Sequence, residues 1–465
     1  MPPGEPPHPK ALFSLVPLNA RAKSILTYRD NVRFVSSFPL HKANPTVKVQ
    51  GLDIGPQIAS GSNETLAILG RVGNIKFDDL EISPYHCSFE LDQHNREEVI
   101  LQDRSLDNST QPYGQTAKPF KQGHPHRRVL VDREINLQFG MGGPDHNLYQ
   151  FQIYWHDQRD DNRVGNPHHA RTIADEPPTS GPSPLYTGIH AAGIWGMIRY
   201  SKRKKLGKGA FGEVWKVADV DTGKHLAVKR LKMSHNHFDE YSSLKQEARM
   251  LSSVSHVRTP SEFSPVKHDG YFDIFMELKP GSVQDLIDEY DLFERDTNAA
   301  ISLAFQMLKA LDYLAQRGMI HRDVKPLNIL FTPLSNGKYL YQLADFGLAN
   351  TVVNAQTYAG TKMYMAPELY QDSPWLQTVK MDIWSLFVTL AYAMNAAGFQ
   401  NKPMSPREQV FKAVSEATSC SVLGRFREMA IMDPCYRATA EDMLDTARSL
   451  SEITFTGFAQ GPNRM

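Results

Sequence analysis

The chain has 465 residues, enough for two or three domains, and its 51 basic and 51 acidic residues cancel. That balance leaves no global field drawing it to nucleic acid or to an anionic membrane. Cys87, Cys420 and Cys435 are too few for a disulfide framework and suit a reducing, intracellular setting, cytoplasm or nucleus.

In chain order, the proline-rich start from Met1 to Lys10 lacks the apolar core of a signal peptide. Residues 1–49 read as an N-terminal extension, in which Ala11 to Pro17 adds a strand to the domain that follows. Residues 50–156 carry short apolar runs, Leu66 to Leu69, Val99 to Leu101 and Arg128 to Val131, between clusters of Gly, Asn, Asp and Pro. This is the pattern of a β-rich domain with functional loops. Residues 157–198 form a linker: from Asp157 to Gly188 almost nothing apolar is available to offset ordering entropy, so flexibility is expected. Residues 199–450 turn from strands to long helices. Phe238, Tyr241, Leu244, Ala248 and Leu251 recur at helical spacing, as do Ile301, Phe305, Leu308, Leu311 and Ala315, with Gly318 as the stop. Ile383 to Met394 is the most apolar stretch, too short to span a bilayer, and reads as a buried core helix. Residues 451–465 form a tail, and no internal repeat is visible.

The chemistry is concentrated in His321-Arg322-Asp323-Val324-Lys325-Pro326-Leu327-Asn328, followed by Asp345-Phe346-Gly347 and Ala366-Pro367-Glu368. Phosphoryl transfer needs a carboxylate near the acceptor hydroxyl, a lysine near the moving group and oxygen ligands for metal on the triphosphate. Asp323, Lys325 and the pair Asn328 and Asp345 suit those three tasks. Upstream, Gly207-Lys208-Gly209-Ala210-Phe211-Gly212-Glu213-Val214 is glycine-rich, which lets backbone amides approach phosphate oxygens. A strand-like Trp215-Lys216-Val217 and then Ala227-Val228-Lys229 follow it. A dinucleotide-binding loop would continue into a helix instead.

This ordered series resembles the eukaryotic protein kinases. The resemblance implies an α+β bilobal fold, a β-rich N-lobe and a helical C-lobe, preceded by the β-rich domain. It implies ATP and Mg²⁺ as cofactors and protein serines or threonines as substrates, the latter from Lys325 and from Thr361 in Gly360-Thr361-Lys362. Lys229 would hold the α- and β-phosphates and pair with Glu247. Leu206, Gly207, Gly209, Gly212, Val214, Ala227 and Leu330 would surround the nucleotide, with Met276 as gatekeeper and Glu277 to Lys279 as hinge. Asp382 would brace the catalytic loop, and Arg437 would pair with Glu368. Leu327 stands where kinases that demand an upstream arginine carry a glutamate, so no strong requirement for basic residues is expected. Arg322 precedes the catalytic aspartate, as in kinases that hold a phosphorylated activation loop. Of Thr351, Thr357 and Thr361, Thr357 is the expected phosphosite. The competing reading is a phosphopeptide-binding scaffold with a silent kinase fold.

The first block resembles a forkhead-associated (FHA) domain, a β-sandwich that binds phosphothreonine from its loops. The resemblance rests on Leu69-Gly70-Arg71, Ser83-Pro84-Tyr85-His86, the run from Leu101 to Thr110, and Ile135 to Gly140. Arg71, Ser83 and Asn108 fall at the peptide-binding positions, and His86 at a structural one. A guanidinium suits a phosphate through paired, charge-assisted hydrogen bonds. Pro84 and Ser109 depart from the family pattern of arginine and glycine. The pairing of the two resemblances is that of checkpoint-type and filamentous-fungal FHA kinases. It implies phosphothreonine proteins as partners and transient self-association for phosphorylation in trans. Lys202-Arg203-Lys204-Lys205 reads as an exposed strand face in preference to a nuclear address. No zinc site is assigned to His124, His126, His168 and His169.

Overall fold

The computed structural model describes residues 5–41, 44–59, 62–93, 95–122, 126–156, 198–209, 212–232, 271–345, 350–351, 362–370 and 377–456. The chain divides into two compact units, Met1–Gly207 with Trp215–Leu226, and Lys208–Val214 with Ala227–Met465.

Among the described residues of the first unit, eleven strands make two sheets: β1 Phe13–Pro17, β2 Val35–His41, β3 Asn44–Ile54, β4 Thr65–Gly70, β5 Ile75–Lys76, β6 Cys87–Leu91, β7 Val99–Asp103, β8 Thr110–Tyr113, β9 Arg128–Val131, β10 Gln138–Met141 and β11 Tyr149–Trp155. One sheet runs β2-β3-β1-β11-β10-β8, the other β5-β4-β6-β7-β9. Among the described residues, neighbouring strands in these sheets pair antiparallel except β4 with β5. The apolar runs from 66, 99 and 128 each become a strand, because bulky and β-branched side chains pack well on a pleated surface. A common core joins the sheets. Phe13 meets Phe89 edge-on at 5.0 Å, and Phe139 stacks on Phe151 at 5.4 Å.

β1 is central in its sheet, between β3 and β11, and all five of its residues are buried. Ser14 sits on its second face, and its hydroxyl donates to Asp53, which also accepts from Ser36 and from the His8 amide. A buried carboxylate needs such donors. Phe13–Pro17 and Val35–His41 are thus built into the sheet beside β3.

The strands β12 Tyr200–Gly209, β13 Gly212–Asp219, β14 His225–Lys232 and β15 Tyr271–Glu277 are ordered β12-β13-β14-β15 in one sheet. The division between units falls inside the first three. β12 corrects one expectation. Lys202 and Lys205 lie over the Trp215 ring at 4.7 and 5.7 Å, but Arg203 turns to Glu98 and Asp132, so the basic run is not simply a solvated face.

Among its described residues the second unit is mainly helical. The helix Thr297–Ala315 starts where Asp296 accepts the Asn298 amide at 2.9 Å, and the chain turns away at Gly318, whose φ of +64° suits glycine. Ile301, Leu308 and Leu311 are buried as the spacing predicts, joined by Leu303, Ala304, Met307 and Leu314. The apolar stretch at 383 forms Lys380–Ala393, buried almost all round, with Trp384 and Phe387 fully enclosed. The helix Ala440–Thr456 packs on Thr297–Ala315. No helix among the described residues is long and apolar enough to cross a membrane. The expected helix from Phe238 to Leu251 with Glu247, most of the linker, Ala210, Phe211, Phe346, Gly347, Thr357 and Thr361 lie outside the described residues.

Candidate active site

The catalytic segment hangs between two short elements, the strand Met319–Ile320 and the 3-10 turn Pro326–Asn328. Pro326 opens the turn, where its missing amide hydrogen is no loss. Asp382, fully buried, accepts the amides of His321 at 2.7 Å and Arg322 at 2.8 Å. Those bonds hold Arg322 at φ +73°, a left-handed backbone that costs roughly 1–2 kcal/mol for a residue with a Cβ. The aspartate therefore braces the loop.

His321 is fully buried, and burial lowers its pKa to about 4, only partly opposed by the Ala344 carbonyl and by Asp345 and Asp323. The ring is neutral near pH 7. Nε2 donates to the Ala344 carbonyl at 3.0 Å, so Nδ1 is left to accept the Asp323 amide at 3.3 Å. One ring thereby ties Asp323 to the strand end that carries Asp345.

Two expected residues converge on the carboxylate of a third. Lys325 Nζ lies 2.7 Å from Asp323 Oδ2, and Asn328 Nδ2 donates to the same oxygen at 2.9 Å and to the Asp323 carbonyl at 2.8 Å. With its nitrogen so engaged, the Asn328 amide oxygen is the atom left to coordinate. Lys229 is 7% exposed, and its Nζ lies 3.0 Å from Asp345 Oδ1. Asp345 is half exposed and left-handed at φ +61°, a second unusual backbone in the same segment. Ala227 is buried, Val214, Met276, Lys279 and Leu330 are half-buried, and Glu277 is exposed with Lys279 Nζ at 3.0 Å. Leu206 is exposed. Gly207 has open space where a Cβ would go, and Gly209 ends β12 while Gly212 opens β13.

Farther off, Arg437 grips Glu368 with two bonds of 2.7 and 2.8 Å, both side chains buried. Its remaining donors go to the carbonyls of Ile431, Lys380 and Met432. A buried pair so fully hydrogen-bonded is tolerable, and removal of either partner would leave an isolated charge.

In the first unit, the loops bearing Arg71, Ser83 and Asn108 also meet. The Arg71 amide donates to the Ser83 carbonyl at 3.2 Å and its Nε to the Ile82 carbonyl at 2.7 Å. Gly70 permits this approach, since a Cβ there would lie 2.4 Å from the Pro84 oxygen. His86 is buried; its Nδ1 accepts the Ser83 amide at 3.1 Å and its Nε2 lies 3.3 Å from Ser109 Oγ. Asn108 is exposed and left-handed at φ +57°, a conformation asparagine tolerates. Arg127, unmarked by any sequence signal, holds that loop by donating to the carbonyls of Asn108 and Thr110 and to Asp103. Val72, Leu80, Tyr85 and Leu106 stand exposed on the same loops.

Residues 200–446 match the protein kinase domain family. A Dictyostelium discoideum protein named as a probable serine/threonine-protein kinase is 30% identical over 262 residues, 53% of this chain and 50% of that protein. The serine/threonine-protein kinase TIO of Arabidopsis thaliana is 34% identical over 42% of this chain and 14% of its own length. Mitogen-activated protein kinase kinase kinase 3 of the same plant is 30% identical, over 47% and 34%. The chain thus spans half or less of the length of these relatives. The matched segment contains every catalytic-loop residue whose geometry is given above, and the chain belongs to the protein kinase family.

Proposed function

We propose that this chain is a protein serine/threonine kinase that uses ATP and Mg²⁺, with an FHA-like module that docks phosphothreonine segments. The observation that carries the kinase reading is the convergence of Lys325 and Asn328 on Asp323, beside a separate Lys229 and Asp345 pair. The donor set fits a hard cation. Asp345 supplies a half-exposed carboxylate and Asn328 an amide oxygen, both oxygen ligands of the kind magnesium takes. When bound, the metal would offset charge on the triphosphate. Asp323 would orient the acceptor hydroxyl and take its proton, Lys325 would steady the transferring group, and Lys229 would meet the α- and β-phosphates. Glu247 is the proposed partner of Lys229, and Thr357 the proposed regulatory phosphosite. Incubation with labelled ATP and a generic protein substrate should give phosphoserine or phosphothreonine. No incorporation under any metal or activation condition would leave the scaffold reading in its place.

The docking reading is supported by the joining of the loops that bear Arg71, Ser83 and Asn108, through the Ser83 carbonyl and through His86 to Ser109. Calorimetry should detect a phosphothreonine peptide and not its unphosphorylated form. Equal affinity for both would make this surface a phosphate-independent docking face.

A further inference from the structure

Glu98, immediately before β7, belongs to the N-terminal block, yet its partners lie more than a hundred residues away. Its side chain is 8% exposed, and both oxygens are taken. Arg203 Nε lies 2.6 Å from Oε1, Arg203 Nη2 lies 2.8 Å from Oε2, and His225 Nε2 lies 2.8 Å from Oε1. Arg203 also meets Asp132 at 2.9 Å and the Ser201 hydroxyl at 2.7 Å, while Lys216 meets Glu97 at 3.0 Å. Backbone and core bonds reinforce the charges. The Leu130 amide donates to the Val220 carbonyl at 2.7 Å, Arg128 donates to the Thr222 carbonyl at 3.0 Å, and Val220 is fully buried in the two-sheet core. Gly223 comes so close to β7 that a Cβ would lie 2.7 Å from Ile100. All of these residues belong to the first compact unit.

Arg203 is on β12 and Lys216 on β13, the strands that enter and leave the glycine-rich segment, and His225 opens β14, which carries Lys229 four residues on. We infer that Glu98 is a positioning residue for nucleotide binding: through Arg203 and His225 it fixes the roots of the strands that hold the glycine-rich loop and Lys229. The inference rests on the kinase reading of residues 200–446. A fixed root confines the strand ends that carry Gly207, Gly209, Gly212 and Lys229, and so sets the entropy lost when those ends engage phosphates. Loosening it should weaken nucleotide binding in ground and transition states alike, which raises KM and spares kcat.

The test uses the full chain. Glu98→Gln, Arg203→Met and the double variant are assayed for transfer and, by calorimetry, for affinity to a non-hydrolysable ATP analogue. Each single variant should raise the ATP KM and the analogue Kd by about 5- to 10-fold, with kcat within about twofold of wild type. The double variant should be no worse than the worse single, because both changes break one link. Thermal destabilisation with unchanged KM and Kd would make the network merely structural and overturn the inference. If Glu98→Gln does not fold, Asp132→Asn, which removes only the outer partner of Arg203, should move KM in the same direction by a smaller factor, and an unchanged KM there overturns it equally. A wild-type protein that binds the analogue but transfers nothing would count against the kinase reading, while the Kd comparison would still decide the role of Glu98.

Discussion

Two buried carboxylates, Asp382 and Glu98, organise the two regions that matter most, and they do so by opposite means. Asp382 is surrounded mainly by neutral donors. Burial raises its pKa to about 6, with the His321 and Arg322 amides and the Arg322 charge pulling the other way. Glu98 is buried too, which by itself would raise its pKa, but hydrogen bonds and charge from His225 and Arg203 bring it down to about 2. Dipoles hold a backbone shape at modest electrostatic gain, whereas full counter-charges clamp one side chain to another. The first suits a loop whose geometry must be exact to a fraction of an ångström. The second suits a joint between segments far apart in sequence.

Changes at the catalytic node should have the largest effects. Asp345→Ala should reduce transfer to below a few per cent of wild type with folding retained, since the half-exposed side chain supports no core. Turnover above that level in a labelled-ATP assay would remove Asp345 from the metal role. Asp382→Asn should follow, with transfer down about 100-fold. One of the two accepting oxygens becomes an NH2 donor that faces a backbone N–H, and the left-handed backbone at Arg322 loses part of its support. Near-normal kcat would mean that the loop holds its shape without the brace.

Acid titration should separate the two nodes by sign. The folded pKa of Glu98 lies below the ordinary value, so its contribution is present above about pH 4.5 and is lost as pH falls through 2, about 3 kcal/mol in all. The folded pKa of Asp382 lies above the ordinary value, so its contribution is full below pH 3.8 and is lost as pH rises through 6. The same network holds Asp132 on Arg203, and Glu97 on both Lys216 and His225. Urea denaturation between pH 3 and 7 should therefore show a shallower acid limb for Glu98→Gln. Parallel curves for the variant and wild type would mean that Glu98 titrates alike in folded and unfolded chains.

The smallest effect is expected at the surface. Arg71 is exposed and only partly anchored by the Ile82 carbonyl, so Arg71→Ala should weaken a phosphothreonine peptide by about tenfold, ~1.4 kcal/mol. Loss confined to the phosphorylated peptide supports phosphate reading, and equal loss for both forms supports general docking.

Much of the catalytic segment was legible because its partners are close in sequence. Asp323, Lys325 and Asn328 lie within six residues, and a short turn is enough to bring them near one another. The strands at 66, 99 and 128 were legible too, since apolar runs bounded by turn residues need only a sheet to join. The strand at Phe13 could be read as a strand, but not its central place between β3 and β11.

Sequence by itself therefore determined the kinase family, the order of its elements and the identity of the chemical groups, because residue type and spacing carry that information. Tertiary structure alone decided the left-handed backbones at Arg322 and Asp345, the Arg127 staple under Asn108, and the turn of Arg203 away from solvent to Glu98. Each of these depends on which distant side chain fills the last polar vacancy in a packed interior. That choice is set by the exclusion of water around a charge, and no local pattern along the chain encodes it.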